Sequence, residues 1–302
     1  MRTLDLDSLE IFRAVAREGG VIRAAVRLNR VQSNVTTRIK QLEERLGVAL
    51  FRRQGRSLVL SAEGQGLLVH AERLLRLADE AESAVRAGPA RGPFRLGSLE
   101  STAGTRLPAV LSRFHRLHPA VVIELATGTT GALVQQVMDY RLEAAFVSEP
   151  FNAPDLNTRP VFDEELVLVT SNDHPPVRRA ADLGRSTILA FTQGCSYRKR
   201  LEDWFGAGDV LPQRVLEFAS YQAIIACVAA GTGCAIVPAS VLQALRTGSD
   251  VRQHVLPDRV RINRTHLVWH GEASPALQRL LDMLVPLDAT TPQVKRRAVA
   301  RS

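Results

Sequence analysis

The stretch that most constrains this chain is Val31 to Leu46, VQSNVTTRIKQLEERL, in which Val35, Ile39, Leu42 and Leu46 recur at spacings of four, three and four. That interval draws one apolar stripe along a helix. The other side carries Gln32, Ser33, Thr36, Thr37 and Lys40, short polar side chains that suit base edges and a cation that suits phosphate. Threonine is roughly half a kcal/mol poorer than alanine in a helix, so two adjacent threonines are a poor choice for a face that need only be soluble. A plain solvated face is the competing reading.

The flanks favour the first reading. Ala24, Ala25 and Leu28 make a short helical segment, and Asn29-Arg30 form a turn before the stretch begins, which is a helix-turn-helix pattern. Leu6, Leu9, Phe12, Val15 and Ala16 give a first helix that packs behind the pair and stops at Gly19-Gly20. After the stretch, Gly47 ends the helix. Leu50-Phe51, the basic run Arg52, Arg53, Gln54, Gly55, Arg56 and the alternation Leu58-Val59-Leu60 then read as a hairpin, or wing. Between residues 21 and 60 nine Lys and Arg face two acids, Glu43 and Glu44, so +7 of the chain's +8 lies in this segment. A basic patch on a two-helix reader with a wing is the footprint of a double-stranded-DNA-binding module. The candidate contacts are Gln32, Ser33, Asn34, Thr36, Thr37, Arg38 and Lys40 on the helix and Arg52 and Arg53 in the wing.

A chain of 302 residues is too long for this module alone and accommodates two or three domains. It has no run of eighteen apolar residues and no charged-then-apolar start, which excludes a membrane protein and points to the cytoplasm. Cys195, Cys227 and Cys234 lack any disulfide or zinc spacing, so no metal or cofactor is expected. The chain also lacks a Gly-x-Ser-x-Gly elbow, a phosphate loop and a paired acid-base set, which argues against an enzyme.

Ser61 is a plausible N-cap for a long helix, in which Leu67, Ala71, Leu74, Ala78, Ala81 and Val85 form a heptad-like seam suited to pairing with a second copy. Gly88-Pro89-Ala90-Arg91-Gly92-Pro93 reads as a hinge. From Phe94 short strands alternate with helices, the signature of α/β organisation. Strands are expected near 94–98, 121–126 and 143–148, with helices near 103–117 and 130–140; a connecting segment spans 152–170. A second unit has strands near 187–191, 214–218, 234–237 and 264–269, with helices near 196–205, 220–230 and 274–285. The expected architecture is a winged module over 1–60, a dimerisation helix over 61–89 and a two-lobed α/β domain over 90–287. Lobe I takes about 93–160 plus the C-terminal strand region, and lobe II about 165–265; 288–302, with Lys295, Arg296, Arg297 and Arg301, is expected to be a mobile basic tail.

The motifs LEIFRAVAREGG, RAAVRL, VQSNVTTRIKQLEERLGVALFRR and LSAEG, followed by LGSLESTAGTRLPAVLSRFHRLHP and GTGCAIVP, resemble the LysR-type transcriptional regulators over essentially the whole chain. Within that family, RVQSNVTTRIKQLEE, GSLESTA and GCSYRKRLEDWF look like the putrescine-utilisation regulators. The resemblance implies promoter DNA as partner, with contacts on Gln32, Ser33, Thr36 and Thr37 and with Arg52 or Arg53 near phosphate. It also implies a periplasmic-binding-protein-like sensor, a small-molecule effector between its lobes, a dimer of dimers and RNA polymerase as a further partner. Two departures stand out. Gly20-Val21-Ile22 replaces the family's usual Gly-Ser-Phe, and Thr36-Thr37 replaces a frequent Ser-Arg.

The residues make physical sense of an interlobe effector. Ser98, Glu100, Ser101 and Thr102 follow the first sensor strand and open a helix, where hydroxyls and free amides suit an anion. Thr127, Thr129 and Thr130 occupy the next strand-to-helix turn, and Ser148-Glu149 follow the third strand. Gln193, Cys195, Ser196, Tyr197 and Arg198 open a helix of the second lobe. Glu100 and Glu149 add a cationic subsite, so the effector is expected to be an amine or carboxylate metabolite; ordinary helix capping is the alternative for each residue. Cys195 raises a redox alternative, because peroxide-sensing family members place a reactive cysteine close by. The match is off by one, and Asp203-Trp204-Phe205 stands where their second cysteine falls. A solute-binding protein and a nonspecific DNA-packing protein complete the alternatives.

Overall fold

Asp5 starts the first helix by accepting the Ser8 N–H at 2.8 Å, and Gly19, at φ 64°, ends it in the left-handed region. The computed structural model describes residues 4–54, 57–85 and 90–284, which divide into two units, the first formed by the residues up to 88 together with 139–141 and the second by the rest. In the first unit α1 (Leu6–Glu18), α2 (Val21–Arg27) and α3 (Gln32–Leu46) form the helix-turn-helix, with Asn29 at φ 52° in the turn and Gly47 at φ 71° closing α3. The apolar stripe of α3 is the reason it packs: Val35, Ile39 and Leu42 are buried with Leu9, Ile11, Phe12 and Val15 of α1 and Ala24 and Ala25 of α2. The wing is an antiparallel pair, β1 (Phe51–Gln54) and β2 (Ser57–Leu60), with Phe51 opposite Leu60. Gly55 and Arg56 at its tip lie outside the described residues.

Ser61 caps α4 (Ala62–Val85): its hydroxyl accepts the Gly64 N–H at 2.9 Å and donates to the Ala49 carbonyl at 2.7 Å. A Cβ at Gly64 would stand 2.1 Å from the Leu50 oxygen, so only glycine lets the helix lie this close to the base of the wing. The expected seam on α4 is corrected. Ala71 is fully buried in the unit's own core, and Leu67 packs against that core, because this face of α4 covers α1. The outward apolar stripe keeps Leu74 and Ala81 of that seam and adds Leu77, which is 61% exposed. The side chain of Val85, part of the hinge and the expected tail over 288–302 lie outside the described residues.

The second unit holds β3 (Gly92–Ser98), α5 (Glu100–Thr105), α6 (Leu107–Leu117), β4 (Val121–Thr127), α7 (Thr130–Met138), β5 (Ala144–Ser148) and β6 (Asn157–Thr170). After a short 3-10 turn come β7 (Thr187–Ala190), α8 (Ser196–Ala207), β8 (Arg214–Glu217), α9 (Tyr221–Ala229), β9 (Ala235–Pro238), α10 (Ala239–Leu245), β10 (Arg252–Val255), α11 (Asp258–Arg261), β11 (Ile262–Trp269) and α12 (Pro275–Met283). Parallel pairing of β4, β3 and β5, with helices crossing between them, builds lobe I, and β11 adds antiparallel to β5. The segment expected as a mere connection is the long strand β6. Its residues 157–165 pair with β11, and its residues 166–170 pair with β9 and β10. One strand thus belongs to both lobes. Lobe II is completed by β7 and β8, with Ile188 bridged to Cys234. The strand expected near 264–269 in the second α/β unit, β11, falls with residues 262–265 in the lobe I sheet rather than in lobe II. Arg159 holds the end of α12 by donating to the carbonyls of Leu281 at 3.0 Å and Leu284 at 2.8 Å.

Candidate nucleic-acid interface and effector cleft

On the outer face of α3, Gln32, Ser33, Asn34, Thr37 and Lys40 are exposed. Thr36 is half-buried, and its hydroxyl donates to the Gln32 carbonyl at 3.0 Å. The cations divide into two groups. Arg27 pairs with Glu18 at 2.7 Å, Arg23 donates to the Glu18 carbonyl, Arg30 and Arg38 pair with Asp7, and Arg45 pairs with Asp5 at 3.0 Å. These arginines tie α2 and α3 to α1, with Arg38 3.5 Å from Asp7 and its side chain still 42% exposed. Glu43 points its carboxylate at the wing, accepting the N–H groups of Leu50 at 2.7 Å and Phe51 at 3.2 Å. Lys40, Arg52 and Arg53 are exposed and have no acidic partner among the described residues. The structure therefore places unneutralised positive charge beside the polar face of α3 and on the wing, where an anionic duplex gains most from it.

In the second unit, a small cavity of about 20 Å³ lies between the lobes. Leu99, Glu100, Ser101, Gly128 and Thr129 of lobe I line it, with Phe191, Cys195, Ser196, Tyr197 and Tyr221 of lobe II. The lobes meet beside it, where Gly131 N–H donates to the Gly194 carbonyl at 3.1 Å. A larger outer cavity of about 500 Å³ shares the Cys195-Ser196 wall and is lined by Thr130, Met138, Phe151, Gln193, Arg198 and Lys199 among others. The sequence candidates thus separate into an inner set (Glu100, Ser101, Thr129, Cys195, Ser196, Tyr197) and an outer set (Thr130, Gln193, Arg198).

The remaining candidates line neither cavity. Ser98 is buried with its hydroxyl on the Leu99 carbonyl, and Ser148 bonds Asn263 Oδ1 at 3.0 Å. Thr102 is buried within α5, and Thr127 faces solvent at the end of β4. Arg198 is held by Glu202 at 2.7 Å and Glu217 at 2.5 Å. Glu149 is no inner subsite: its carboxylate lies 2.7 Å from His266 Nε2 at the lobe crossover, beside Arg200. Sequence reasoning missed Leu99, Gly128, Phe191 and Tyr221. Phe191 and Tyr221 also sit at strand-to-helix turns of lobe II, which is the signal that finds them.

Burial pushes the Glu100 carboxyl above its ordinary range, against a pull downward from the Tyr221 N–H at the start of α9. Burial likewise raises the phenols of Tyr197 and Tyr221, each opposed by a hydrogen bond with Ser101. The Ser196 hydroxyl is buried with no partner among the described residues, a costly state for a polar group. Burial also pushes the Cys195 thiol up, the opposite of what a reactive thiolate requires. Cys227 and Cys234 are free as well.

Comparisons with known proteins agree with this geometry. Residues 6–65 match the family described as bacterial regulatory helix-turn-helix protein, lysR family, and residues 87–287 match the LysR substrate binding domain. The chain is 38% identical over 281 residues to the HTH-type transcriptional regulator GltR of Bacillus subtilis, covering 92% of this chain and 95% of that one. It is 37% identical over 287 residues to the HTH-type transcriptional regulator YofA of Bacillus velezensis, covering 94% and 99%. Among solved structures, a full-length OxyR variant from Pseudomonas aeruginosa shares the fold at TM-score 0.74 and 23% identity, covering 94% of each chain. Full-length CbnR in complex with its target DNA matches at TM-score 0.65 and 25% identity, covering 93% of this chain and 99% of that one.

Proposed function

Since this chain belongs to the LysR family of bacterial transcriptional regulators, DNA-binding proteins with an effector-binding domain, we propose that α3 and the wing read its promoter DNA and that the interlobe cleft takes a small metabolite. The observation that carries the DNA reading is the charge segregation. Acids of α1 neutralise the arginines behind the reader, while Lys40, Arg52 and Arg53 are left for phosphate and Gln32, Ser33 and Thr37 for base edges. The protein acts where the DNA is, in the cytoplasm. Two copies pair through the outward Leu74, Leu77 and Ala81 stripe of α4, which gives a two-fold reader for two half-sites. Pairing of sensors then makes a dimer of dimers that meets RNA polymerase at the promoter. The motif resemblance to putrescine-utilisation regulators is what supports a metabolite of polyamine or related amino-acid catabolism.

The test is binding of the full chain to its own upstream DNA across a salt series. We expect log affinity to fall linearly with log salt and unlabelled upstream DNA to compete far better than random sequence. Equal competition by random DNA would make this a packing protein, and indifference to DNA would make it a solute-binding one. The unpartnered Ser196 hydroxyl, on a wall shared by both cavities, supports the effector reading. A redox reading has no support in the raised Cys195 thiol.

A further inference from the structure

Among the described residues, Glu100 is the only acidic or basic side chain in the wall of the inner cavity. The cations nearest in sequence are engaged elsewhere: Arg198 is paired with Glu202 and Glu217, Lys199 is paired with Asp203 at 3.1 Å and lines the outer cavity, and Arg200 donates to the carbonyls of Glu149, Arg259, Val260 and Ile262. An anion entering the cavity would meet a carboxylate and no guanidinium or ammonium in its lining. A cation would meet that carboxylate together with aromatic surface, since Phe191, Tyr197 and Tyr221 line the same space and the rings of Phe191 and Tyr221 lie 4.8 Å apart. Carboxylate beside aromatic faces is the chemistry that recognises ammonium groups. The buried, unpartnered Ser196 hydroxyl supplies a further acceptor.

Size narrows the class. A volume of about 20 Å³ admits a group the size of one water molecule, whereas the outer cavity across the Cys195-Ser196 wall offers about 500 Å³. We propose that the inner cavity seats a primary ammonium group, and that the effector is a small metabolite carrying that group on a flexible chain whose remainder occupies the outer cavity. This rests on the reading of the cleft as the effector site. Glu100 comes from lobe I and Tyr221 from lobe II, so an ammonium head seated in this cavity touches groups of both lobes. Binding there carries different weight in open and closed arrangements, which is the requirement for a ligand to shift them.

The experiment is isothermal titration of the full-length protein with butylamine, putrescine, 4-aminobutyrate, butanoate and 1-butanol, repeated on Glu100→Gln, Ser196→Ala and Thr129→Phe, with circular dichroism verifying that each variant is folded. The amines should bind, butanoate and butanol should bind at least about ten-fold more weakly, and Glu100→Gln should weaken the amines by about ten-fold or more. Butanoate binding at amine-like affinity, unchanged in Glu100→Gln and lost in Ser196→Ala, would overturn the ammonium proposal and leave the cleft as effector site. Amine binding that survives both Glu100→Gln and the cavity-filling Thr129→Phe would overturn the cleft reading itself. Heat from none of the five compounds would sink the ammonium proposal.

Discussion

The reader unit and the sensor unit solve the problem of holding functional side chains in opposite ways. In the reader, structure and function occupy opposite faces of one helix: Val35, Ile39 and Leu42 are buried, while Gln32, Ser33, Thr37 and Lys40 face solvent. In the sensor, the groups around the inner cavity come from turns as far apart as Leu99 and Tyr221, and Ser101, Ser196, Tyr197 and Tyr221 are themselves buried. An exposed face can change its chemistry with little effect on stability. A buried wall cannot, because every side chain in it also supports the fold.

The sharpest test of this contrast uses the inner face of α3. Leu42→Ala empties a fully buried position and should destabilise the reader by about 2–5 kcal/mol in urea unfolding; a loss well under that would mean the stripe is not what holds the helix. Next in size is the joint replacement of Lys40, Arg52 and Arg53 by alanine. DNA affinity should fall at low salt and the salt slope should shrink by about 0.9 for each phosphate that is no longer neutralised, with the melting temperature unmoved. A melting temperature that dropped along with the slope would break the comparison.

Glu43→Gln lies between the two cases, since Glu43 is on the reading helix but serves the fold. Replacing its carboxylate on the Leu50 and Phe51 N–H groups should remove about 1 kcal/mol, and DNA binding should weaken through the displaced wing. Unchanged urea midpoints would show that the wing needs no such anchor. The smallest effect is expected at Glu100, where burial raises the carboxyl above its ordinary value of 4.5. The folded state therefore holds this proton more tightly than the unfolded chain, and its stability is relatively lower once the pH rises through the folded value. Glu100→Gln should melt slightly higher than the parent near neutral pH, and the gap should close as the pH falls below 4.5. A gap that widened toward acid would reverse the assigned direction.

The reader was legible because its signals are local. The stripe of α3, the glycines after α1 and α3, the Ser61 cap and the alternation of the wing each lie within a few residues of what they control. Along α4 two apolar stripes run side by side, and the sequence does not say which one packs homeward; α1 decides it by covering Ala71. β6 was hidden because Pro160 interrupts its pattern and its partners arrive about a hundred residues later, at β11. The short β10 and the helices α10 and α11 gave too little periodicity to read. In the cleft, the rule that strand-to-helix turns line a binding site places Glu100, Ser101 and Cys195 to Tyr197 and, applied to every such turn, also reaches Tyr221. It misses that hydroxyls such as those of Ser98 and Ser148 are satisfied by their neighbours. Arg198 carried a visible warning in Glu202, four residues on along the same helix.

β6 has a consequence for how this sensor can vary. Side chains alternate across a strand, so removing one residue would turn everything beyond the cut to the opposite face. In β6 that phase is set by β11 over residues 157–160 and 162–165, on either side of a bulge at Val161, and again by β9 and β10 over 166–170. The strand is a ruler read from both ends. Insertions can lengthen the surface loops of either lobe, and the bulge at Val161, where the β11 register shifts by one residue, is the one point in the β11-paired segment with slack; a change of one residue within 162–170 leaves one lobe or the other facing the wrong way, and any split or permuted sensor has to keep this strand whole.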